Sequence, residues 1–214
     1  MSIKRVRVMT RDDIQAKIDY FNKIGDNWDE IVGNNNERIE RIRNVFKMIE
    51  IETGDRVLDV GCGNGVLIPL IEEKIGPDGV INALDPAEAM ILRAKKLYPQ
   101  YNNIDYIVKT AEDADLKNEY YDAILCFAVF PHIENKMHAL NLLKRALKND
   151  GKLYIFHLSD TKSLNEFHSS VNGPVSHDIM PDKDELKEML NKSSLALLRY
   201  IDTKGLNFVE CGQC

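Results

Sequence analysis

The chain has 214 residues and a formal net charge of -6, from 28 Lys and Arg against 34 Asp and Glu, so it lacks the basic surplus that proteins use to displace counterions from nucleic-acid phosphates. Its length suits one domain built on one substantial core. No apolar run approaches the roughly 20 residues that span a bilayer, and no apolar signal region follows the charged start, so a cytoplasmic protein without nucleic-acid or membrane partners is expected.

Lys4, Arg5, Arg7 and Arg11 open the chain and read as a solvated basic arm. Ile39, Ile42, Phe46 and Ile49 recur at helical spacing, which predicts one apolar stripe ahead of the first strand. The runs Arg56 to Val60, Val80 to Leu84, Ile104 to Val108, Tyr121 to Cys126 and Lys152 to His157 then read as strands covered on both faces. Gly54-Asp55, Pro77-Asp78-Gly79 and Asn149-Asp150-Gly151 supply turns before three of them. Met137, Leu140, Leu143 and Leu147 form a helical stripe before the fifth strand.

Residues 161–179 are polar, contain Gly173-Pro174 and read as a long excursion, a feature that often serves function. A helix is expected over Asp182 to Lys192. The runs Ser194 to Asp202 and Leu206 to Cys211, joined by Thr203-Lys204-Gly205, read as a strand hairpin. Alternation of short apolar runs with helical patterns predicts an α/β fold. Cys62, Cys126, Cys211 and Cys214 are too dispersed for a disulfide framework. Reduced thiols are expected, with Cys211 and Cys214 in a frayed tail.

Gly61, Gly63 and Gly65 follow the first strand and open a helix near Val66, an arrangement that lets a ligand approach backbone at a helix N-terminus. A dinucleotide fingerprint would place its third glycine at Val66, which weakens a nicotinamide-dependent dehydrogenase reading. Asp59, two residues before Gly61, would repel a pyrophosphate but attract an ammonium group. Asp85 ends the second strand, where a carboxylate can accept both hydroxyls of a ribose.

The segments Val57-Leu58-Asp59-Val60-Gly61-Cys62-Gly63-Asn64-Gly65 and Ala83-Leu84-Asp85-Pro86 closely resemble the first two motifs of class I S-adenosylmethionine-dependent methyltransferases. The resemblance runs from about Tyr20 to Leu158, and the stretch from His157 through Ser163-Leu164-Asn165-Glu166-Phe167-His168, with Gly173-Pro174 and Asp178-Ile179-Met180-Pro181, resembles an insert of a bacterial subgroup of these enzymes. It implies a three-layer Rossmann-like fold with a mostly parallel seven-stranded sheet and an antiparallel C-terminal strand. It also implies S-adenosyl-L-methionine as cofactor, with Asp59 and Gly61 holding its methionine portion, Cys62, Gly63 and Gly65 of the same loop in the cofactor site, Asp85 at the ribose, and Pro86 or Met90 near the adenine. Lys109-Thr110-Ala111-Glu112-Asp113 resembles the third motif, which puts Ala111 at the adenine edge and leaves open whether Thr110, Glu112 or neither reaches its amine. Asp19-Tyr20-Phe21-Asn22 and Asn27-Trp28-Asp29 resemble a helical lid, implicating Tyr20 and Trp28 in cofactor binding.

Cys126-Phe127-Ala128-Val129-Phe130-Pro131-His132 resembles the segment that flanks the sulfonium, which places Cys126 and Phe127 near the methyl group and His132 toward the acceptor. His157, Asn165 and His168 complete the expected acceptor side, with His132 and then His157 as base candidates because imidazole titrates near working pH. A metal held by His157, His168 and His177 is a weaker reading, since their spacing matches no metal motif. The expected organisation is a single domain 1–214: lid segment 1–35, cofactor core 36–160, substrate-side insert and helix 161–192, and strand pair 193–214. The expected activity is in-line methyl transfer to a heteroatom of a small-molecule acceptor; a catalytically silent cofactor-binding regulator is the alternative.

Overall fold

The structure, a computed structural model, describes residues 10–31, 33 and 35–214. Lys4, Arg5 and Arg7 lie outside the described residues, while Arg11 begins the first helix and is exposed. In chain order the elements are α1 (Arg11–Ile24), α2 (Trp28–Ile31), α3 (Asn36–Phe46), β1 (Arg56–Val60), α4 (Ile68–Ile75), β2 (Val80–Leu84), α5 (Glu88–Leu97), β3 (Ile104–Ile107) and β4 (Tyr121–Phe127). They continue with α6 (Lys136–Ala146), β5 (Leu147–His157), α7 (Thr161–Ser170), α8 (Lys183–Lys192), β6 (Leu195–Thr203) and β7 (Leu206–Gln213).

Successive side chains on a strand point to opposite faces, and the apolar strands divide accordingly. Leu58, Val60, Ile124 and Cys126 enter one core, with Leu140 and Leu143 of α6 and Leu186 and Leu190 of α8. Val57, Ala123, Leu125 and Phe127 enter the other, with Ile42 and Phe46 of α3, Ile68 and Ile71 of α4 and Ile91 of α5. Three layers result because both faces of the sheet are apolar and each needs a cover.

The seven strands lie in the order β3-β2-β1-β4-β5-β7-β6. Strands β1 to β5 pair in parallel, and β7 runs antiparallel to both β5 and β6. Strand order reverses between β1 and β4, so a crevice opens outside their carboxyl ends, where ligands of such sheets bind. Among the described residues, no helix is long and apolar enough to cross a membrane.

Three expectations change. Residues 161–170 of the predicted loop form α7, capped by Asp160, whose side chain accepts the Ser163 N–H. This helix buries only Thr161 and His168 fully, too little apolar surface to show as a stripe. The expected turn Asn149-Asp150-Gly151 lies inside β5, in a bulge: Tyr121 pairs with Leu147, yet Ala123 pairs with Lys152. The expected frayed tail is ordered strand, because β7 continues to Gln213 and fully buried Cys211 directs its thiol to the Leu153 carbonyl.

Leu140 is fully buried and docks α6 on the sheet. Leu140→Ala is expected to destabilise by about 2–5 kcal/mol, read as a lower denaturant midpoint at constant m-value. Leu198→Ala, at a position 51% exposed, should stay within about 0.5 kcal/mol of the parent chain.

Candidate active site

Strand β1 delivers the chain into a turn built on left-handed glycines. Gly61 has φ +66°, and an added Cβ would lie 2.2 Å from Val129 Cγ2, closer than any side chain tolerates. The N–H groups of Gly61 and Cys62 both donate to the Leu84 carbonyl, at 2.7 and 3.0 Å, locking the loop to the end of β2. Asp85 completes the lock: its carboxylate accepts the Gly63 N–H at 2.9 Å and the Ala87 N–H at 2.8 Å.

Two carboxylates are therefore buried beside the loop, with no cation paired to them among the described residues. Asp59 is 1% exposed and its Oδ2 has no hydrogen-bond partner among the described residues. Burial first, and then Asp85, push its pKa up to about 7. Burial also raises Asp85 to about 6, against the opposing hydrogen bonds from Ala87 and Gly63. An unsatisfied buried acceptor is costly, and a cationic donor from a ligand is its natural complement.

A cavity opens over this loop. Gly61, Gly63, Asp85, Pro86 and Met90 form one wall, and Thr110, Ala111 and Glu112 another. Thr110 exchanges hydrogen bonds with Asp113, at 3.0 and 3.1 Å. Glu112 Oε1 accepts the N–H groups of Glu134 and Asn135, at 2.9 and 3.1 Å, so this carboxylate braces the segment after β4. Val129, His132, Ile133 and Glu134 form the third wall.

The cover is α1. Thr10 and Asp13 form a capping box at its start, and Ile14, Lys17, Ile18 and Phe21 present one stripe to the cavity. Trp28 completes this side, with its ring 6.0 Å from that of Phe21. The Ala89 N–H donates to Asn22 Oδ1 at 3.0 Å, tying α1 to α5. Lys17, only 5% exposed, forms ion pairs with both Glu134 and Asp178.

Asp178 also holds the histidines. Its Oδ2 lies 2.6 Å from His132 Nδ1, and its carbonyl accepts from His168 Nδ1 at 2.9 Å. The His132 and His168 rings are 5.1 Å apart. His157 is buried beneath them with Nε2 unpartnered, and burial, then His132 and His168, push its pKa down to about 3. It is a neutral imidazole. Lys136, brought down to about 8 chiefly by burial, caps the Pro131 and Ile133 carbonyls.

Several predicted residues stand off the cavity wall. Strand β4 runs through Phe127, so Cys126 packs into one core and Phe127 stacks on Phe156 at 4.9 Å in the other. Ala128, held at φ +54°, and Val129 take the wall positions expected of them. Cys62 directs its side chain into the core, where burial first raises its thiol pKa. Gly65 packs on Ile68 and Tyr98, and Tyr20 packs edge-on against Phe21 at 5.4 Å. Asn165 spends both amide groups on the Met180 backbone, at 2.9 and 2.8 Å, and so braces the insert. His177 is exposed, and among the described residues no group of three or more His, Cys, Asp or Glu is placed to hold a metal. The His157, His168 and His177 site is thereby corrected.

Lys17 and Asp178 carry no assigned role in the sequence expectations. A lysine at the second position of the stripe Ile14, Lys17, Ile18 and Phe21 is the available signal.

The description "Methyltransferase domain" fits the family that matches residues 58–155. The malonyl-[acyl-carrier protein] O-methyltransferase of Acetivibrio thermocellus is 32% identical, over 59% of this chain and 44% of its own. The mitochondrial ubiquinone biosynthesis O-methyltransferase of Schizosaccharomyces pombe is 28% identical, over 68% of this chain and 56% of its own. The chain spans about half the length of these curated relatives. The solved complex of DhpI with SAH superposes with a TM-score of 0.75 at 14% identity, covering 96% of this chain and 98% of that one, a likeness that establishes the fold.

Removing Lys17 leaves Glu134 and Asp178 buried without their cation, a loss on the order of 3 kcal/mol. In Lys17→Met, amide exchange across residues 11–24 should accelerate about 100-fold while β1 and β4 keep their protection. Unchanged exchange in α1 would show that the ion pairs do not hold the cover.

Proposed function

We propose that this chain, whose residues 58–155 are a methyltransferase domain on a class I methyltransferase fold, binds S-adenosylmethionine and transfers its methyl group to a heteroatom of a small molecule. The observation that carries the reading is the unpartnered, buried Asp59 carboxylate oxygen beside a glycine loop and Asp85. These residues fit the cofactor's chemistry: Asp59 offers charge to an ammonium group, Gly61 and Gly63 offer bare backbone, and Asp85 offers acceptors to ribose hydroxyls. Pro86, Met90 and Ala111 supply the flat apolar wall that an adenine ring needs.

When bound, S-adenosylmethionine supplies a methyl group on a cationic sulfur. The chain's own residues do the positioning. Ile14, Ile18, Phe21, Val129 and Ile133 exclude water from the cavity, which strengthens every electrostatic contact inside it. His132 faces the cavity as the base, His168 packs against it, and Asn165 acts indirectly by fixing Met180 and the insert. His157, neutral and buried, backs the acceptor side.

Calorimetry with S-adenosylhomocysteine should show binding, whereas NAD should not bind; preferential NAD binding contradicts the reading. Gly61→Ala should abolish binding, because its Cβ would collide with Val129. Affinity should also follow pH with a defined sign. Asp59 has its pKa raised to about 7 in the free protein, and an ammonium ligand binds its ionised form, so binding below that pH must expel a proton. Affinity therefore falls by up to about tenfold per unit below pH 7. Asp59→Asn should remove both the affinity and this dependence, and a flat profile between about pH 5.5 and 8 would exclude Asp59 as the ligand's partner. Release of S-adenosylhomocysteine with an acceptor panel separates an enzyme from a silent binding protein.

A further inference from the structure

Asp178 stands between the cover and the acceptor wall with its two oxygens divided. Oδ1 takes Lys17 Nζ from α1, and Oδ2 takes His132 Nδ1 at 2.6 Å. Burial by itself raises the pKa of this carboxyl, but hydrogen bonds from His132 and Lys17 outweigh it and hold Asp178 below its ordinary value. An ionised carboxylate only accepts, so His132 Nδ1 is the donor of this pair, and in the neutral ring Nε2 then carries the lone pair. That Nε2 has no hydrogen-bond partner among the described residues, and the His132 side chain lines the cavity with 21% of its surface exposed. Through its backbone carbonyl Asp178 fixes the neighbouring His168 ring as well.

The surroundings discriminate between nucleophiles. An anionic acceptor needs an unpaired cation, but Lys17 is already held by two carboxylates, and Lys109 is exposed on the wall with Thr110 and Ala111. A thiol ionises readily enough to need little base. A neutral hydroxyl is the nucleophile that requires an oriented lone pair, and the apolar side chains of Ile14, Ile18, Phe21, Val129 and Ile133 suit its carbon skeleton.

We propose that the acceptor atom is the neutral hydroxyl oxygen of a small apolar compound of the phenol class, with His132 as base and Asp178 as the residue that positions it. The proposal rests on the methyl-transfer reading above. The oxygen–methyl bond forms as the methyl–sulfur bond breaks, and the sulfur keeps the bonding pair. The hydroxyl proton passes to His132 Nε2 and from there to water, while the Asp178 carboxylate stabilises the transient imidazolium. Lys17 binds the other oxygen of the same carboxylate, so docking of α1 and orientation of the base occur together.

The test uses the full chain with S-adenosylmethionine and four matched acceptors: 4-methylphenol, 4-methylthiophenol, 4-methylaniline and 4-methylbenzoate. The parent protein should methylate the phenol. Asp178→Asn should lower kcat for the phenol by about 100-fold or more, and by at least about 30-fold more than for the thiophenol, with little change in KM. Nitrogen-15 NMR of the S-adenosylhomocysteine complex should show His132 protonated on Nδ1, a tautomer lost in Asp178→Asn. Transfer to the thiol, amine or carboxylate but not the phenol overturns the proposal and leaves the methyl-transfer reading intact, as do equal losses on phenol and thiophenol or an unchanged tautomer. A protein that binds S-adenosylhomocysteine yet methylates none of the four also overturns it. A parent protein that binds no S-adenosylhomocysteine overturns the underlying reading, and the proposal with it.

Discussion

Two carboxylates, Asp59 and Asp85, are buried at the end of a parallel sheet with no cation paired to them among the described residues, and this constraint organises the site. Such burial is unfavourable in isolation, as their upward-shifted pKa values show. The fold tolerates it because Asp85 accepts two backbone N–H groups and thereby shapes the glycine loop. Asp59 keeps one oxygen unsatisfied. An unsatisfied acceptor of this kind is the chemical complement of a cationic donor, and perturbed carboxylates gather at functional sites.

The sheet makes this placement possible. Register sets Asp59 beside Ala83 of β2 and Leu125 of β4, so three carboxyl-terminal ends converge where the strand order reverses. Gly61 must then pass within reach of Val129, and only a residue without Cβ fits. The glycine loop, the Asp85 carboxylate and the Val129 wall are three consequences of one topology. The other side of the cavity has a different origin: Lys17, Glu134 and Asp178 come from the cover, the segment after β4 and the insert, joined by ion pairs rather than by strand pairing.

That difference explains what the sequence revealed. Strands β1 and β2 were legible to the residue, because doubly covered strands are nearly continuous apolar runs bounded by turns. The placement of Asp59, Gly61, Gly63 and Asp85 at the strand ends was legible because their spacing is local to one strand-loop-helix unit and its neighbour. Cys126 and Phe127 were misplaced by one or two residues, since where a strand stops is set by pairing with β5, here continuing to Phe127 opposite Phe156. Helix α7 was hidden because its inward face is partly polar, His168 and Thr161, and Asn165 is committed to Met180. The Lys17 to Asp178 pairing joins residues 161 positions apart, a contact that no periodicity encodes.

A crystal structure of the chain with S-adenosylhomocysteine tests the central claim most directly. The account predicts the ligand's amino group on Asp59 Oδ2, its ribose hydroxyls on Asp85, its adenine against Pro86 and Met90, and its sulfur facing the wall of Val129 and His132. A ligand bound elsewhere, or one that leaves Asp59 Oδ2 without a donor, would contradict it.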